Sequence, residues 1–109
     1  MTAYVPDSGD IVWLQLSPTV GREQAGHSPV IVLSKARFNA RSGLMLCVPM
    51  TTRVKNYPFE VPIAGERGGV ALVDQTRSVD YAGRQISKKG SVTIDELEQI
   101  RDILRALIG

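Results

Sequence analysis

The 109-residue sequence predicts a mainly β domain with one C-terminal helix (α+β), built as a small, strongly bent antiparallel sheet or barrel. Three observations carry this. Short apolar runs rich in Val, Ile and Leu recur along the chain, glycine and proline clusters separate them, and the clearest helical periodicity comes last.

In chain order, residues 9–16 read as a first strand, with the apolar run Ile11, Val12, Trp13, Leu14 and Leu16 closed by Ser17-Pro18. Residues 30–34 read as a second strand. The connection 21–29 carries two glycines and a proline that keep it out of regular structure. It also holds the chain's one histidine, with Arg22, Glu23, Gln24 and Ser28 around it. Taken by itself it reads as an ordinary polar hairpin loop. Residues 35–42 are polar and basic and suit a mobile loop or a short helix, with Phe38 expected to pack into the core. Gly43 opens a third strand over 44–48 that lacks polar alternation and is therefore expected to be buried on both faces. Pro49 leaves its end without a ladder donor.

A second chemically rich loop spans 51–58, followed by an alternating strand over 59–63, a turn cluster over 65–69 and a short strand over 70–73 that stops at Asp74-Gln75. Residues 84–92 offer a last strand. Thr93 and Glu96 form a capping box that starts the helix. Ile94, Leu97, Ile100, Leu104, Leu107 and Ile108 recur at helical spacing on one face, expected to cover a sheet.

The length sets a single domain, 1–109, with one modest core. No apolar run reaches the roughly 20 residues of a membrane span, and the first residues lack the basic and apolar regions of a secretory signal, so a cytoplasmic location is expected. Cys47 is the one cysteine and sits in an apolar run, which reads as a small buried side chain. The formal net charge is only +2, but Lys35, Arg37, Arg41, Arg53 and Lys55 occupy a stretch with no acid. Such a stretch is either a phosphate-holding surface or a solvated one. No histidine, cysteine and carboxylate set stands at ligand spacing, so neither metal nor cofactor is expected.

The residues 6–13 (Pro-Asp-Ser-Gly-Asp-Ile-Val-Trp), Pro18-Thr19, the run Gly21 to His27, Pro29, the run Cys47 to Thr52, the run Gly69 to Gln75 and Lys88-Lys89-Gly90 together resemble the MazF/PemK (Kid) toxins. The match runs through the C-terminal helix in order and at matching spacing. The resemblance implies an SH3-like barrel of the CcdB/Kid/MazF type and a homodimer. It implies the toxin of a toxin–antitoxin pair, a sequence-specific, metal- and ribosome-independent endoribonuclease (mRNA interferase) of single-stranded mRNA that leaves a cyclic phosphate and a 5′-hydroxyl. The implied partners are single-stranded RNA and an acidic, largely disordered MazE-like antitoxin, with no membrane. The competing readings are a non-nuclease toxin of the same fold, of the gyrase-poison type, and a catalytically silent member that binds RNA or antitoxin.

A ribonuclease without metal needs a base for the 2′-hydroxyl, an acid for the leaving oxygen and donors or charge at the phosphorane. Glu23 can act as base or read a base edge. His27 titrates near neutral pH or packs as a loop histidine. Thr51 can donate to a phosphate oxygen, or form a turn. Asp74 can serve as a base, orient an arginine or cap a strand. Arg22, Arg53, Lys55 and Arg84 can neutralise phosphate, and Gln24, Lys35 and Gln75 complete the expected RNA-facing set; Tyr57 can stack on a base. The family's essential threonine maps onto Thr51. Its essential arginine maps onto Ser28, a departure, since a hydroxyl supplies neither fixed charge nor a bidentate fork. Three explanations stand: a disarmed form of an active nuclease, a natural weakened member, or compensation by Arg22. The first is the reading adopted, because the residues around Ser28 keep the family pattern.

Overall fold

The computed structural model of the chain describes residues 3–16, 27–65 and 69–109. Seven strands form one sheet system. They are β1 (Asp10–Gln15), β2 (His27–Val32), β3 (Leu44–Thr51), β4 (Glu60–Pro62), β5 (Val70–Leu72), β6 (Arg77–Asp80) and β7 (Ser87–Ser91). A short helix α1 (Ala36–Ser42) precedes β3, and α2 (Ile94–Ile108) ends the chain. All the strand pairings are antiparallel, in the order β4-β5-β3-β2-β1-β7, with β6 added beside the first half of β3.

β3 organises the sheet. Its residues Leu44 to Cys47 pair with β6, Cys47 to Pro49 with β2, and Met50 and Thr51 with β5. One strand that changes partners this way must bend, and Pro49 sits at the change. Successive side chains of β2 and β3 then enter two different cores. Val30, Val32, Met45 and Cys47 join Val12, Leu14, Leu16, Val79 and Tyr81 in one. Ile31, Leu33, Val48 and Met50 join Val61, Ile63, Ala71, Val73 and Ile100 of α2 in the other. β2 from Val30 and β3 from Cys47 are apolar without alternation because both of their faces are covered.

Several expectations need correction. β2 begins at His27, so His27, Ser28 and Pro29 are strand, not loop. Pairing with β1 (Gln15 with His27, Leu14 with Ser28) extends the ladder across Pro29, which lies just outside the β2–β3 pairing. β3 runs on through Pro49 to Thr51. Leu44 and Leu46 are exposed at its outer face, and Phe38 on α1 is 52 % exposed, so neither the two-sided burial of early β3 nor the core role of Phe38 holds. β6 went unseen, and β7 is shorter than the stretch 84–92.

The capping box is present: Glu96 N–H donates to Thr93 Oγ1 (3.1 Å) and Thr93 N–H to Glu96 Oε1 (2.8 Å). The second carboxylate oxygen accepts from Ala64 N–H at 2.7 Å, tying the start of α2 to the segment after β4. Leu97, Ile100 and Leu104 pack as expected, with Ile103 beside them. Ile94 lies roughly 120° round the helix from Ile100 and is exposed, and Leu107 and Ile108 run past the sheet and are exposed too. Because two N–H donors face two separate oxygens, Glu96→Gln leaves an amide NH₂ against one donor. Urea unfolding is expected to show a loss of about 1–3 kcal/mol; an unchanged midpoint would contradict this reading of the helix start.

α1 has no side-chain cap of its own. Asp7 Oδ1 supplies one from across the fold, accepting from Ala36 N–H at 2.9 Å. That bond and the one from Ser8 N–H hold the Asp7 carboxyl below its usual range. Gly43, at φ +74°, ends the helix.

Candidate active site and RNA-facing surface

The β1–β2 register puts Gln15 opposite His27 and Leu14 opposite Ser28. The β2–β3 register pairs Val30 with Pro49. That pairing stops there: Ser28 lies two residues before Val30 on β2, and Thr51 two residues beyond Pro49 on β3, where β3 has passed to β5. The two positions, distant in sequence, thus belong to one end of the sheet, where β1 ends, β2 begins and the loop 52–59 leaves β3. Ser28 is 4 % exposed, whereas His27 beside it is exposed on the other face. The His27 ring lies 5.4 Å from the Trp13 ring, tilted by 41°.

Thr51 is half-buried, and its Oγ1 accepts from Arg53 N–H at 3.1 Å. A hydroxyl that accepts this bond still has its own hydrogen to give, the polarity a phosphate oxygen requires. Gly69, at φ +137°, allows the β4–β5 hairpin to close on this point; a Cβ there would stand 2.9 Å from the Thr51 carbonyl oxygen. The loop after Thr51 is pinned by Glu60, whose carboxylate accepts from Lys55 N–H (3.1 and 3.3 Å) and Asn56 N–H (2.9 Å). Asn56 takes the left-handed conformation at φ +60° that asparagine tolerates. So held, the loop presents Arg53, Lys55 and Tyr57 to solvent, with Lys55 Nζ 5.8 Å from the centre of the Tyr57 ring.

Arg84 reaches the same end from the turn after β6. Its Nη1 donates to Gln15 O at 2.7 Å, and its Nε to Asp80 O at 3.0 Å. Those bonds fix the guanidinium beside the residue that faces His27, and it makes no salt bridge among the described residues.

Other expected residues are not gathered here. Lys35 precedes α1, beyond the far end of β2, and β3 separates its start beside α1 from Thr51 by seven residues, roughly 20–25 Å of strand. Lys35 is thus separated from Thr51 along the length of β3. Asp74 and Gln75 lie on a 3-10 turn, Val73–Gln75, that continues β5 away from Thr51. Arg22, Glu23 and Gln24 lie outside the described residues.

Sequence reading missed Glu60 and the wall residues Tyr4 and Trp13. Trp13 had a legible signal, since Val12 and Leu14 point into the core and the residue between them must point out. Tyr4 and Glu60 had none, because their partners are set by tertiary approach. The Tyr4 hydroxyl donates to Asp10 Oδ2 at 2.5 Å, and Lys88 Nζ stands 3.3 Å from the other oxygen. Burial first, and then the Asp10 carboxylate, push the Tyr4 phenol far above its usual range.

Cys47 is fully buried, and burial pushes its thiol up to about 12, against the opposing pull of Arg77 and Arg84. The thiol therefore stays protonated where an unfolded one ionises. Its contribution to stability is intact below pH 9.0 and is lost progressively as the pH rises from there toward 12. Iodoacetamide at pH 9 is expected to modify Cys47 only after denaturant is added; rapid labelling of the native chain would contradict this.

The central strand thus delivers Thr51 to the end of the sheet from which Arg53 and Lys55 extend into solvent. The family described as PemK-like, MazF-like toxin of type II toxin-antitoxin system matches residues 7–108, and the chain belongs to it. It is 49 % identical over 110 residues to the endoribonuclease toxin MazF of Escherichia coli strain K12, covering 100 % of this chain and 99 % of that one. Among solved structures it is similar to MazF from Deinococcus radiodurans, with a TM-score of 0.93 and 41 % identity over 98 % of this chain and 99 % of the other. It is also similar to a MazE-MazF complex from the same organism, with a TM-score of 0.86 and 38 % identity over 98 % of each chain.

Proposed function

We propose that this chain is the toxin of a toxin–antitoxin pair built to cleave single-stranded RNA, and that Ser28 leaves it disarmed. The observation that carries the reading is the end of the sheet shared by Ser28 and Thr51. There the Thr51 hydroxyl accepts from Arg53 N–H, a role that leaves a hydroxyl its own hydrogen to give to a phosphate oxygen. RNA brings its own nucleophile in the 2′-hydroxyl, so the protein has to orient the phosphate, supply charge and move two protons. Thr51 donates to the phosphate, an arginine at position 28 would stabilise the phosphorane, and Glu23 is the proton-transfer group, since His27 is exposed on the strand face opposite Ser28. Arg22, Gln24, Arg53, Lys55 and Arg84 hold the strand. Single-stranded substrate suits such a site, because unstacked bases offer their edges to loops.

The chain works in the cytoplasm as a homodimer, and its partner is an acidic antitoxin of the MazE kind, which competes with RNA for the same basic surface. The E. coli relative is named an endoribonuclease toxin and the D. radiodurans relative is found with MazE, which supports both assignments.

The test is the chemistry of the ends. A long RNA is incubated in EDTA with the Ser28→Arg chain. Fragments are expected to carry a 2′,3′-cyclic phosphate and a 5′-hydroxyl; absence of cleavage, or 5′-phosphate ends, would overturn the reading. Inhibition of DNA gyrase in place of RNA cleavage would favour the gyrase-poison alternative.

A further inference from the structure

A cleft of about 770 Å³ opens beside the proposed cleavage end, within the range of about 300–1,000 Å³ common for ligand cavities. Tyr4, Trp13, His27, Tyr81, Arg84 and Gln85 are among the residues lining it. Three of these residues are held by the fold. Tyr4 is tied to Asp10, the Tyr81 hydroxyl donates to Asn39 O at 2.8 Å, and Arg84 is held by Gln15 O and Asp80 O. His27 lines the cleft and is the chain neighbour of Ser28, with its side chain on the opposite strand face.

We propose that this cleft is a nucleobase subsite. It takes one unstacked base of the RNA, a nucleotide flanking the scissile bond, against the Trp13–His27 wall, with the adjoining phosphate on Arg84. The proposal rests on the nuclease reading and adds to it where the strand runs after leaving Thr51. Aromatic faces attract any base, and a guanidinium with no carboxylate partner among the described residues attracts a phosphate. The Gln85 amide and the Ser87 hydroxyl offer donors and acceptors that a base edge uses. A buried aromatic side chain from a protein partner would leave those groups unsatisfied, so the lining favours RNA over a peptide.

Trp13 is the chain's one tryptophan, so its fluorescence reports on the cleft directly. The unmodified protein is titrated with a dye-labelled single-stranded oligonucleotide at low salt while anisotropy and Trp13 emission are followed. Binding is expected to quench Trp13. An abasic site walked along the oligonucleotide should find one position that abolishes the quench and weakens binding about 5- to 150-fold. Arg84→Gln should lower the slope of log affinity against log salt by about 0.7.

Binding by anisotropy with unchanged Trp13 emission, or with every abasic position tolerated, overturns the subsite and leaves the nuclease reading intact. No RNA binding at all overturns both. Quenching by an acidic, phenylalanine-bearing peptide but not by RNA overturns the proposal and assigns the cleft to a protein partner.

Discussion

Ser28→Arg is expected to raise RNA cleavage at least about 100- to 1,000-fold over the chain as it stands. The estimate comes from what a serine lacks. In the transition state negative charge gathers on the phosphorane oxygens, and a preorganised cation aimed at them stabilises that state more than the ground state. Thr51 supplies one neutral hydrogen bond there; nothing at position 28 supplies charge. Position 28 lies in a strand paired with β1, opposite Leu14. The gain should therefore appear in the turnover rate more than in affinity for RNA. Single-turnover kinetics on a long unstructured RNA in EDTA checks it. A rise of less than about tenfold would mean either that Arg22 already compensates or that the chemistry is not nucleolytic.

Gly69→Ala is expected to cost about 2–4 kcal/mol, a large part of the stability of a domain of this size. Two penalties combine. An L side chain at φ +137° is strained by about 1–3 kcal/mol, and the added Cβ would stand 2.9 Å from a backbone oxygen that cannot swing aside. That oxygen belongs to Thr51, so whatever relief the fold finds must displace the end of β3. In the arginine-restored background, the protein that does fold is expected to cleave poorly. Urea unfolding and RNA cleavage measured on the same preparation check both parts; a stable variant with full activity would show that Gly69 does not hold Thr51 in place.

What the sequence discloses, and what it hides, follows from the range of the interactions involved. The start of α2 was legible because a capping box is local: Thr93 and Glu96 stand three residues apart. Its second half, the bond from Ala64 to Glu96, spans 32 residues and leaves no trace in either segment. Val30, Val32, Cys47 and Val48 announced buried strands because the sheet is covered on both faces. Leu44 and Leu46 carry the same signal and are exposed, since β6 pairs with the edge of β3 and leaves that face uncovered. β6 itself, with Arg77, Ser78 and Asp80 around one buried valine, is too short and polar to stand out.

The site was half legible for the same reason. Thr51 and Ser28 are singled out by motif resemblance, and only the antiparallel pairing of β2 with β3 puts the start of one and the end of the other at the same end of the sheet. Arg84 was identified by charge alone, and its place beside Gln15 comes from the turn after β6. Asp74 and Lys35 were equally good candidates by residue type, yet the direction of β5 and the position of α1 carry them away from Thr51.

One comparison bears on the central claim most directly: cleavage of a long RNA in EDTA by the Ser28→Arg chain with and without Thr51→Ala. If the two positions form one metal-independent centre, Thr51→Ala removes about two orders of magnitude from the restored activity. RNA affinity would stay within a few fold. Undiminished cleavage by the double variant, or cleavage that appears only when a divalent cation is added, would contradict the account.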